Sequence, residues 1–468
     1  MALSSSSSPQ HLVLVGGGHA HAQVIKALNK ASRPKNLQVT LIDIQKDAAY
    51  SGMVPGCIAG LYKNEDTLLQ LEPLASWASI DFVQDRVVDI DLERNLIKLQ
   101  NQDSIPFDAV SLDIGSASRG LDECPGARQF SLPTRPIAAL VQRMNEEGTK
   151  LAKNPHPVHV VVIGAGAAGI ELSLSIKGRF QRILGKDHEL RVTLLDSGDQ
   201  LFPDETQANR QALGKILSDK KIEVRHGCTV AEVCKDSVRL QSGQEIDFTH
   251  CLWATGASAH DLAWKLEQKG LAVNDRGWIR VNPKLQSVSH PSIFAAGDCC
   301  NIEGLEGASP PKAGVYAVRS GPILIENLVN YLCTGPLKSY VPQADFLKIM
   351  VCGDGSALGF RFGIPIHGKW VWQLKDAIDS KFMDLFKEAN LPELKEGQPY
   401  ENSQYDAIYT ERPPPKMPKD AATILQRTDD DVDFEEAWNV LRDMAADQDY
   451  ENRVLDYVKF PEYTAVTR

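Results

Sequence analysis

The sequence predicts an α/β fold built from two similar three-layer domains, because one arrangement of residues occurs twice in the chain. Each copy has a short apolar run typical of a buried parallel strand, a glycine-rich turn, a helix-like segment and a second apolar run that ends in an aspartate. The first glycines of the two copies are 148 residues apart. This order of elements is typical of a Rossmann-like, dinucleotide-binding βαβ unit.

In the first copy, Gly16, Gly17 and Gly18 come directly after the apolar run 12–15. Its second strand, "QVTLID", ends at Asp43. Glycines let the backbone approach a pyrophosphate, and the start of the following helix offers unpaired N–H groups and partial positive charge. Asp43 would accept hydrogen bonds from a ribose. His21 stands where such a turn usually has its third glycine, so it either packs differently against the strand or adds a contact near the phosphate.

The second copy, "HVVVIGAGAAGIELSLSI", contains Gly164, Gly166 and Gly169, and its second strand, "LRVTLLD", ends at Asp196. The distance from first glycine to aspartate is 27 residues in the first copy and 32 in the second. Both exceed the usual spacing of about 20 residues. One glycine motif is a weak signal, whereas two complete units in one chain make a chance match improbable.

Three further stretches complete the prediction. "FDAVSLDIGSAS" (107–118) and "FTHCLWATGASA" (248–259) each predict a strand that ends at a glycine turn. "IFAAGDCC" (293–300) predicts a strand that ends at Gly297 and Asp298, where the carboxylate could reach the ribityl and phosphate groups of a flavin. A simple Gly-Asp turn is the alternative. A loop and a long amphipathic helix follow from residue 308.

Composition excludes several classes of protein. The 468 residues are 43% hydrophobic and 24% charged, as in soluble proteins of several domains. Residues 420–456 carry a net charge of −9 out of −11, so the main body is nearly neutral and does not resemble a nucleic-acid-binding surface. No apolar run is long enough to predict a membrane span. The start, "MALSSSSSPQ", predicts a flexible leader, and a cytoplasmic location is expected, with an organelle left open.

These segments resemble the pyridine nucleotide-disulfide oxidoreductase superfamily of flavoproteins. Within it the chain is similar to type II NADH dehydrogenases, and more so to the FAD-containing domain fused to selenide, water dikinase in some bacteria. The resemblance covers about residues 11–390 and rests on five stretches: "VGGGHAH", "YSGMVPGCIAGLY" (50–62), "SLDIGS" (111–116), "PKAGVYAVRSGP" (311–322) and "WVWQLKDAIDSKFM" (370–383).

The resemblance implies two cofactors, FAD in the first unit and NADH, with NADPH possible, in the second. The implied FAD-binding residues are Gly16, Gly17, Gly18, His19, Ala20, Asp43, Val87, Gly115, Gly297, Asp298, Lys312 and Ala313. The implied NAD(P)H-binding residues are Gly164, Gly166, Gly169, Asp196 and Gly256. The carboxylate of Asp196 favours NADH, because it would repel a 2′-phosphate.

The implied reaction is hydride transfer from NADH to the flavin, with electrons passed to a quinone-like acceptor. Lys312 would stabilise negative charge on the flavin and Glu171 would lie near the nicotinamide, so both are candidate catalytic residues. A solvated lysine before a helix is the alternative for Lys312. No metal site is expected.

Two alternative functions stay open. Disulfide reductases of this superfamily use a C-x4-C pair, whereas here Cys57 is alone. A sulfur or selenium oxidoreductase using Cys57 or Cys352 is one alternative. A sensor of low turnover that binds FAD and NADH and recruits a partner is the other. The departures at His21 and at Asp113, where alanine is commoner in the superfamily, favour this low-turnover alternative.

The predicted domains are a leader (1–10), a discontinuous FAD-binding domain (11–155 and 271–335) and an inserted NAD(P)H-binding domain (156–270). A C-terminal α+β interface region (336–400) and a proline-rich linker with an acidic helical tail (401–468) follow. The segment 369–388 predicts an amphipathic helix, which either contacts a membrane peripherally or packs against the body or a second subunit. A protein partner of the tail and a homodimer are further possibilities.

Overall fold

The computed structural model describes residues 9–305, 308–343, 346–361 and 363–395. Most of the predicted leader, and the whole predicted linker and acidic tail (401–468), lie outside the described residues. The strands, in chain order, are β1 Gln10–Val15, β2 Leu37–Asp43, β3 Asp47–Ala49, β4 Leu68–Gln70, β5 Asp81–Gln84, β6 Val87–Asp91, β7 Leu96–Leu99, β8 Ile105–Pro106, β9 Ala109–Leu112, β10 Ala117–Ser118, β11 Leu132–Pro133, β12 Val158–Ile163, β13 Leu190–Leu195, β14 Ile222–Arg225, β15 Val230–Val233, β16 Ser237–Leu240, β17 Glu245–Asp247, β18 His250–Trp253, β19 Ala257–Ser258, β20 Ile279–Val281, β21 Ile293–Ala295, β22 Cys300–Ile302, β23 Lys348–Val351, β24 Ala357–Arg361 and β25 Ile364–Gly368.

The helices are α1 His19–Ala27, α2 Val54–Ile58, α3 Leu71–Ala78, α4 Ala127–Phe130, α5 Ile137–Lys153, α6 Ala167–Leu184, α7 Gln207–Asp219, α8 Asp261–Glu267, α9 Gly314–Leu332 and α10 Lys369–Asp384. Short 3-10 turns occupy Glu65–Thr67, Gly297–Cys299 and Glu388–Asn390. The two helices predicted after the glycine turns are thus present as α1 and α6. None of the described helices is long and apolar enough to cross a membrane.

The first large sheet is parallel and has the strand order β21-β9-β1-β2-β5. In its central strand, β1, the four residues 12–15 are apolar and buried, as expected of a strand covered on both faces. Because all strands run in one direction, their carboxyl ends meet at one edge of the sheet. Gly16, Asp43, Asp113 and Gly297 are therefore brought together at that edge.

The second large sheet repeats this plan with the order β11-β18-β12-β13-β14, again parallel. Gly164, Asp196 and Ala254 follow its strands at the corresponding edge. Smaller antiparallel sheets accompany each large one, β6-β7-β8 in the first half and β15-β16-β17 in the second. The predicted fold class, two Rossmann-like α/β units with a C-terminal α+β region, is confirmed.

The chain passes from the first large sheet to the second and later returns, and the two connecting segments lie side by side. Residues 117–118 pair with residues 257–258 as a two-stranded antiparallel ribbon. Strand β11 already belongs to the second sheet, although the predicted boundary places it in the first domain. Conversely, Ala263 and Leu266 of α8 are buried in the first core. Two-residue strands and short helices carry no periodic signal, so the sequence pattern could not place these crossings.

The C-terminal region joins both halves. Strands β23, β24 and β25 form an antiparallel sheet, and Met350, Leu358 and Phe360 are buried in the second core. The apolar face of helix α10 packs against the rest of the chain. Its buried residues include Trp370, Val371, Leu374, Phe382 and Met383. Packing against the body is therefore present, whereas contact of this segment with a membrane or a second subunit stays a prediction.

Candidate functional site

The first glycine turn brings the predicted residues of the first unit together. Gly16 has a φ of +90°, and a Cβ there would lie 2.4 Å from the carbonyl oxygen of Asp113, so only glycine fits. The amide of Gly17 donates to Oδ2 of Asp43 at 2.6 Å, and the amide of Gln45 donates to Oδ1 at 2.8 Å. Burial raises the pKa of Asp43. The carboxylate predicted to bind a ribose thus also closes the turn.

His21 resolves the question raised by the missing third glycine. Its side chain is fully buried, with Nδ1 2.6 Å from the carbonyl oxygen of Gly16 and Nε2 2.8 Å from Oγ of Ser111. Because a carbonyl only accepts, Nδ1 carries the proton and Nε2 accepts from the serine. Burial lowers the pKa of His21 to about 4, so the ring is neutral. The histidine packs against the strand and does not face a phosphate.

The side chain of Asp113 lies at the N-terminal end of helix α1. Its side chain is 4% exposed, and Oδ2 accepts from the amides of Ala20 and His21 at 2.9 and 3.2 Å. Burial raises the pKa of Asp113 to about 7, with Asp298 and Asp43 adding to the shift and the two amides opposing it. Within the described chain, the amides of Gly18 and His19 have no protein partner. Those two amides are the ones left for a phosphate.

A cleft beside this turn is lined by four of the predicted residues, Gly297, Asp298, Lys312 and Ala313. Oδ2 of Asp298 accepts from Oγ of Ser116 at 2.9 Å and lies 3.7 Å from the guanidinium of Arg135. These contacts fix the position of the Asp298 carboxylate in the lining of the cleft.

Lys312 is half-buried, so the solvated alternative does not describe it. Its Nζ donates to the carbonyl oxygen of Cys300 and lies 4.5 Å from the centroid of the Trp278 ring. The ammonium is therefore held at the cleft by a backbone acceptor and an aromatic face.

Two other residues of the predicted FAD set lie near the same edge of the sheet. Gly115 has a φ of +66°, and a Cβ added to it would have no atom within 4 Å, so the space beside it is open. Val87 begins β6 and is half-buried. Their roles stay predictions.

The second glycine turn has nearly the same backbone as the first. Gly166 caps α6 with φ −73° and ψ 177°, and Gly18 caps α1 with φ −67° and ψ 175°. A Cβ on Gly164 would lie 2.4 Å from the carbonyl oxygen of Ala254, and one on Gly169 would lie 1.9 Å from that of Gly164. No atom lies within 4 Å of the Cβ position of Gly166. This helix end is open.

The remaining residues predicted for the second unit flank this open end. Oδ2 of Asp196 lies 2.8 Å from Nδ1 of His226, and Oδ1 accepts from the amide of Gly198 at 3.0 Å. Gly256 follows β18 with a φ of +105°, which favours glycine. Asp196 is thus oriented at the end of β13, where a ribose contact is predicted.

Glu171 belongs to a buried cluster of charges between the two halves. It accepts from the amide of Val351 at 2.7 Å. Nζ of Lys375 donates to Asp379 at 2.8 Å and to the carbonyl oxygen of Gly52 at 2.8 Å. Burial raises the pKa of Glu171 to about 7, although the nearby Lys375 opposes the shift. Burial would lower the pKa of Lys375, but Asp379 and Glu171 outweigh it and raise the value.

Lys375 and Asp379 are not among the predicted site residues. The sequence identifies them only as charges of an amphipathic helix. Their side chains are 9% and 7% exposed, and they stand four residues apart, on the face that also carries Leu374 and Phe382. An oppositely charged pair at helical spacing inside an apolar face is the signal that could have identified them.

The two cysteines of the sulfur or selenium alternative, Cys57 and Cys352, are buried. All nine are free thiols. Burial raises the pKa of Cys57, and it raises that of Cys352 to about 12, so both stay protonated at neutral pH. Among the described residues, no cluster of His, Cys, Asp and Glu could hold a metal ion.

Iodoacetamide at pH 7 should modify the exposed Cys333 and leave Cys57 and Cys352 unmodified, because their thiols are buried and protonated. Turnover of NADH with a quinone should fall by less than about 20%. Peptide mass spectrometry and an assay of the same sample measure both quantities. A loss of turnover that tracks modification of Cys57 or Cys352 would instead favour the sulfur or selenium alternative.

Comparisons with known proteins identify the family and the fold. Residues 10–321 match the family model described as pyridine nucleotide-disulphide oxidoreductase. Human ferroptosis suppressor protein 1 is 25% identical over 414 residues, which cover 85% of this chain and 99% of that protein. A type II NADH:quinone oxidoreductase of Staphylococcus aureus is 22% identical, covering 79% and 94%. The solved structure of NDH2 from Plasmodium falciparum with NADH superposes with a TM-score of 0.69 at 14% identity, covering 83% and 100%.

Proposed function

Because the chain belongs to the pyridine nucleotide-disulphide oxidoreductase family, we propose that it is an FAD-dependent NADH dehydrogenase that passes electrons to a quinone-like acceptor. The observation that carries the proposal is the pair of glycine turns with matching backbone, each at the start of a helix. Such helix ends bind pyrophosphate. The names of the relatives, an NADH:quinone oxidoreductase among them, support the acceptor class.

We assign FAD to the first turn and NADH to the second. The open amides of Gly18 and His19, the cleft at Gly297 and Asp298, and Asp43 at the end of β2 fit a flavin dinucleotide. The open space at Gly166 and the carboxylate of Asp196 fit NADH without a 2′-phosphate. The domain boundaries follow this assignment, with the second domain inserted between the paired crossings at residues 117–118 and 257–258.

Bound FAD would accept a hydride from NADH and pass the two electrons to the acceptor. The protein orients the two cofactors and supplies charge and protons. Reduction of a quinone to a quinol by NADH consumes one proton from outside NADH. Glu171 is half-buried, has a pKa of about 7 and interacts with Lys375, so it can hold and release that proton.

The location of this cluster supports its role. Lys375 contacts the carbonyl oxygen of Gly52, and that segment is where disulfide reductases of the superfamily carry their cysteine pair. Tyr50 donates to Asp379 at 3.3 Å and Tyr62 stacks near Trp372 with ring centroids 5.1 Å apart. A quinone ring would meet aromatic side chains and a proton source at the same place.

The test is an anaerobic titration of the purified protein with NADH, followed by a short-chain quinone. We expect the flavin band near about 450 nm to bleach with NADH and to recover when quinone is added. Absence of a flavin band would overturn the proposal as a whole. Bleaching without recovery would overturn only the quinone acceptor and would favour the low-turnover sensor.

Glu171→Gln should slow reoxidation of the flavin by quinone about 10- to 100-fold, because the variant has no proton to give. In the wild-type protein the rate should fall as the pH rises through about 7, since Glu171 then loses its proton, and the variant should lack this fall. Stopped-flow absorbance at several pH values measures both steps. Glu189→Gln, an exposed glutamate of the same half, is the control. Equal pH profiles for E171Q and wild type would exclude Glu171 as the proton source.

A further inference from the structure

The two glycine turns differ in one respect, a carboxyl group at the end of helix α1. Asp113 follows β9 as Ala254 follows β18: a Cβ on the first glycine of each turn would lie 2.4 Å from the carbonyl oxygen of that residue. The segments "LDIG" and "WATG" therefore occupy equivalent places. At the second turn the helix end is open, whereas at the first the amides of Ala20 and His21 are taken by Asp113.

The glycines around Asp113 make room for its carboxyl group. A Cβ on Gly18 would lie 2.3 Å from both carboxyl oxygens, and a Cβ on Gly297 would lie 2.6 Å from Oδ1. Alanine at either position would displace the aspartate. Oδ1 has no hydrogen-bond partner in the described part of the chain, although the side chain is only 4% exposed. One oxygen thus binds two amides at the N-terminal end of helix α1, and the other lies beside Gly18 and Gly297.

We propose that Asp113 sets the affinity of the first domain for its dinucleotide, because its ionised carboxylate competes with the pyrophosphate for the end of helix α1 and its protonated form does not. The Asp113 carboxylate binds the amides of Ala20 and His21, next to the open amides of Gly18 and His19, so a bound pyrophosphate would be a second anion at the same positive helix end. Two anions this close repel each other in a poorly solvated site. The protonated acid is neutral and can donate its O–H to a phosphate oxygen.

The surroundings of Asp113 favour this behaviour. The titratable groups that interact with it are Asp43 at the end of β2, Asp298, Cys299 and Cys300 beside β21 and β22, and His21 on α1. His21 is neutral, and Lys312 is held by Cys300 and Trp278. Within the described residues, no ammonium or guanidinium is paired with Asp113. A bound dinucleotide would therefore favour protonation of this acid.

The inference deepens the proposed function and rests on FAD as the dinucleotide. It predicts that the dissociation constant of FAD rises about tenfold between pH 6 and pH 8.5, as one carboxyl group ionises. In Asp113→Asn the amide keeps an acceptor for the helix end but cannot ionise, so its FAD affinity should be the same at both pH values. NADH affinity, which depends on the turn next to Ala254, should be unchanged in this variant.

The experiment is serial dilution of the purified holoprotein at pH 6 and pH 8.5, with released FAD measured by its fluorescence. The control is Asp108→Asn, which replaces the acid directly before strand β9. Its FAD affinity should depend on pH as in the wild type. Equal pH dependence in wild type and Asp113→Asn, or a wild-type affinity that does not change with pH, would overturn the inference while leaving the dehydrogenase intact. A preparation without bound flavin would instead overturn the proposed function itself.

Discussion

Gly166→Val should weaken NADH binding at least about 100-fold, or about 2.7 kcal/mol, while the protein keeps its FAD. Gly166 caps helix α6 with a φ of −73°, which valine adopts readily, and no atom of the described residues lies within 4 Å of its Cβ position. The fold therefore tolerates the side chain. The added methyl groups would fill the space next to the helix amides, where we place the NADH pyrophosphate.

The measurement is the NADH concentration that gives half-maximal bleaching of the flavin band under anaerobic conditions. Gly214→Val is the matched control, because it adds the same side chain to helix α7 of the same half, also with no atom within 4 Å. It should bleach at the wild-type NADH concentration. If Gly166→Val did so as well, NADH would not bind at the second turn, and the assignment of cofactors to the two domains would fail.

Lys375→Met should lower the free energy of unfolding by about 3–5 kcal/mol at pH 8, because it leaves buried carboxylates without their cation. Lys375 and Asp379 are 2.8 Å apart with side chains 9% and 7% exposed. Glu171 would also lose its interaction with the positive charge of Lys375. Protonation of Glu171 can relieve the repulsion, so its pKa should rise further in the variant.

The stability deficit of Lys375→Met should depend on pH. Acids whose pKa is raised by folding contribute stability below their unfolded pKa and lose it as the pH rises through the folded pKa. The deficit of Lys375→Met should therefore shrink when the pH is lowered from 8 to 6, as Glu171 takes up a proton.

Urea unfolding of the holoprotein at both pH values measures the deficit. Lys46→Met removes a pair of similar length, 2.7 Å to Glu72, whose side chains are 53% and 49% exposed. It should cost less than about 1 kcal/mol. A deficit for Lys375→Met no larger than that of Lys46→Met would show that the buried cluster contributes no net stability.

The sequence alone is sufficient for the parts of the fold that have a periodic or glycine-based signal. The apolar runs of β1 and β12, the glycine turns behind them and the helices α1 and α6 are predicted and are present. Strands of two residues, such as β10 and β19, have no such signal, because their position is fixed by pairing between residues about 140 positions apart. The domain crossings therefore needed the structure.

The site residues also divide into those that a local sequence pattern identifies and those that only long-range contacts identify. Glycines with positive φ are identifiable because few other residues fit, and Asp43 because it ends a strand. Asp113 stands out in the sequence only as a departure from the superfamily. Its contact with the amides of Ala20 and His21 joins residues more than 90 positions apart, which no local pattern encodes. Lys375 escapes prediction for a different reason: a charged residue in an amphipathic helix is usually on the solvent side.

The core of the second half is completed by residues made late in synthesis. Its parallel sheet is encoded by residues 132–253, yet Met350, Leu358 and Phe360 from β23 and β24 are buried in its core. A ribosome that adds about 5–20 residues per second needs at least several more seconds to reach them. During that interval the nascent domain exposes the apolar surface that these downstream residues cover in the folded protein. Chaperone dependence should therefore be greatest for chains truncated between residues 254 and 350.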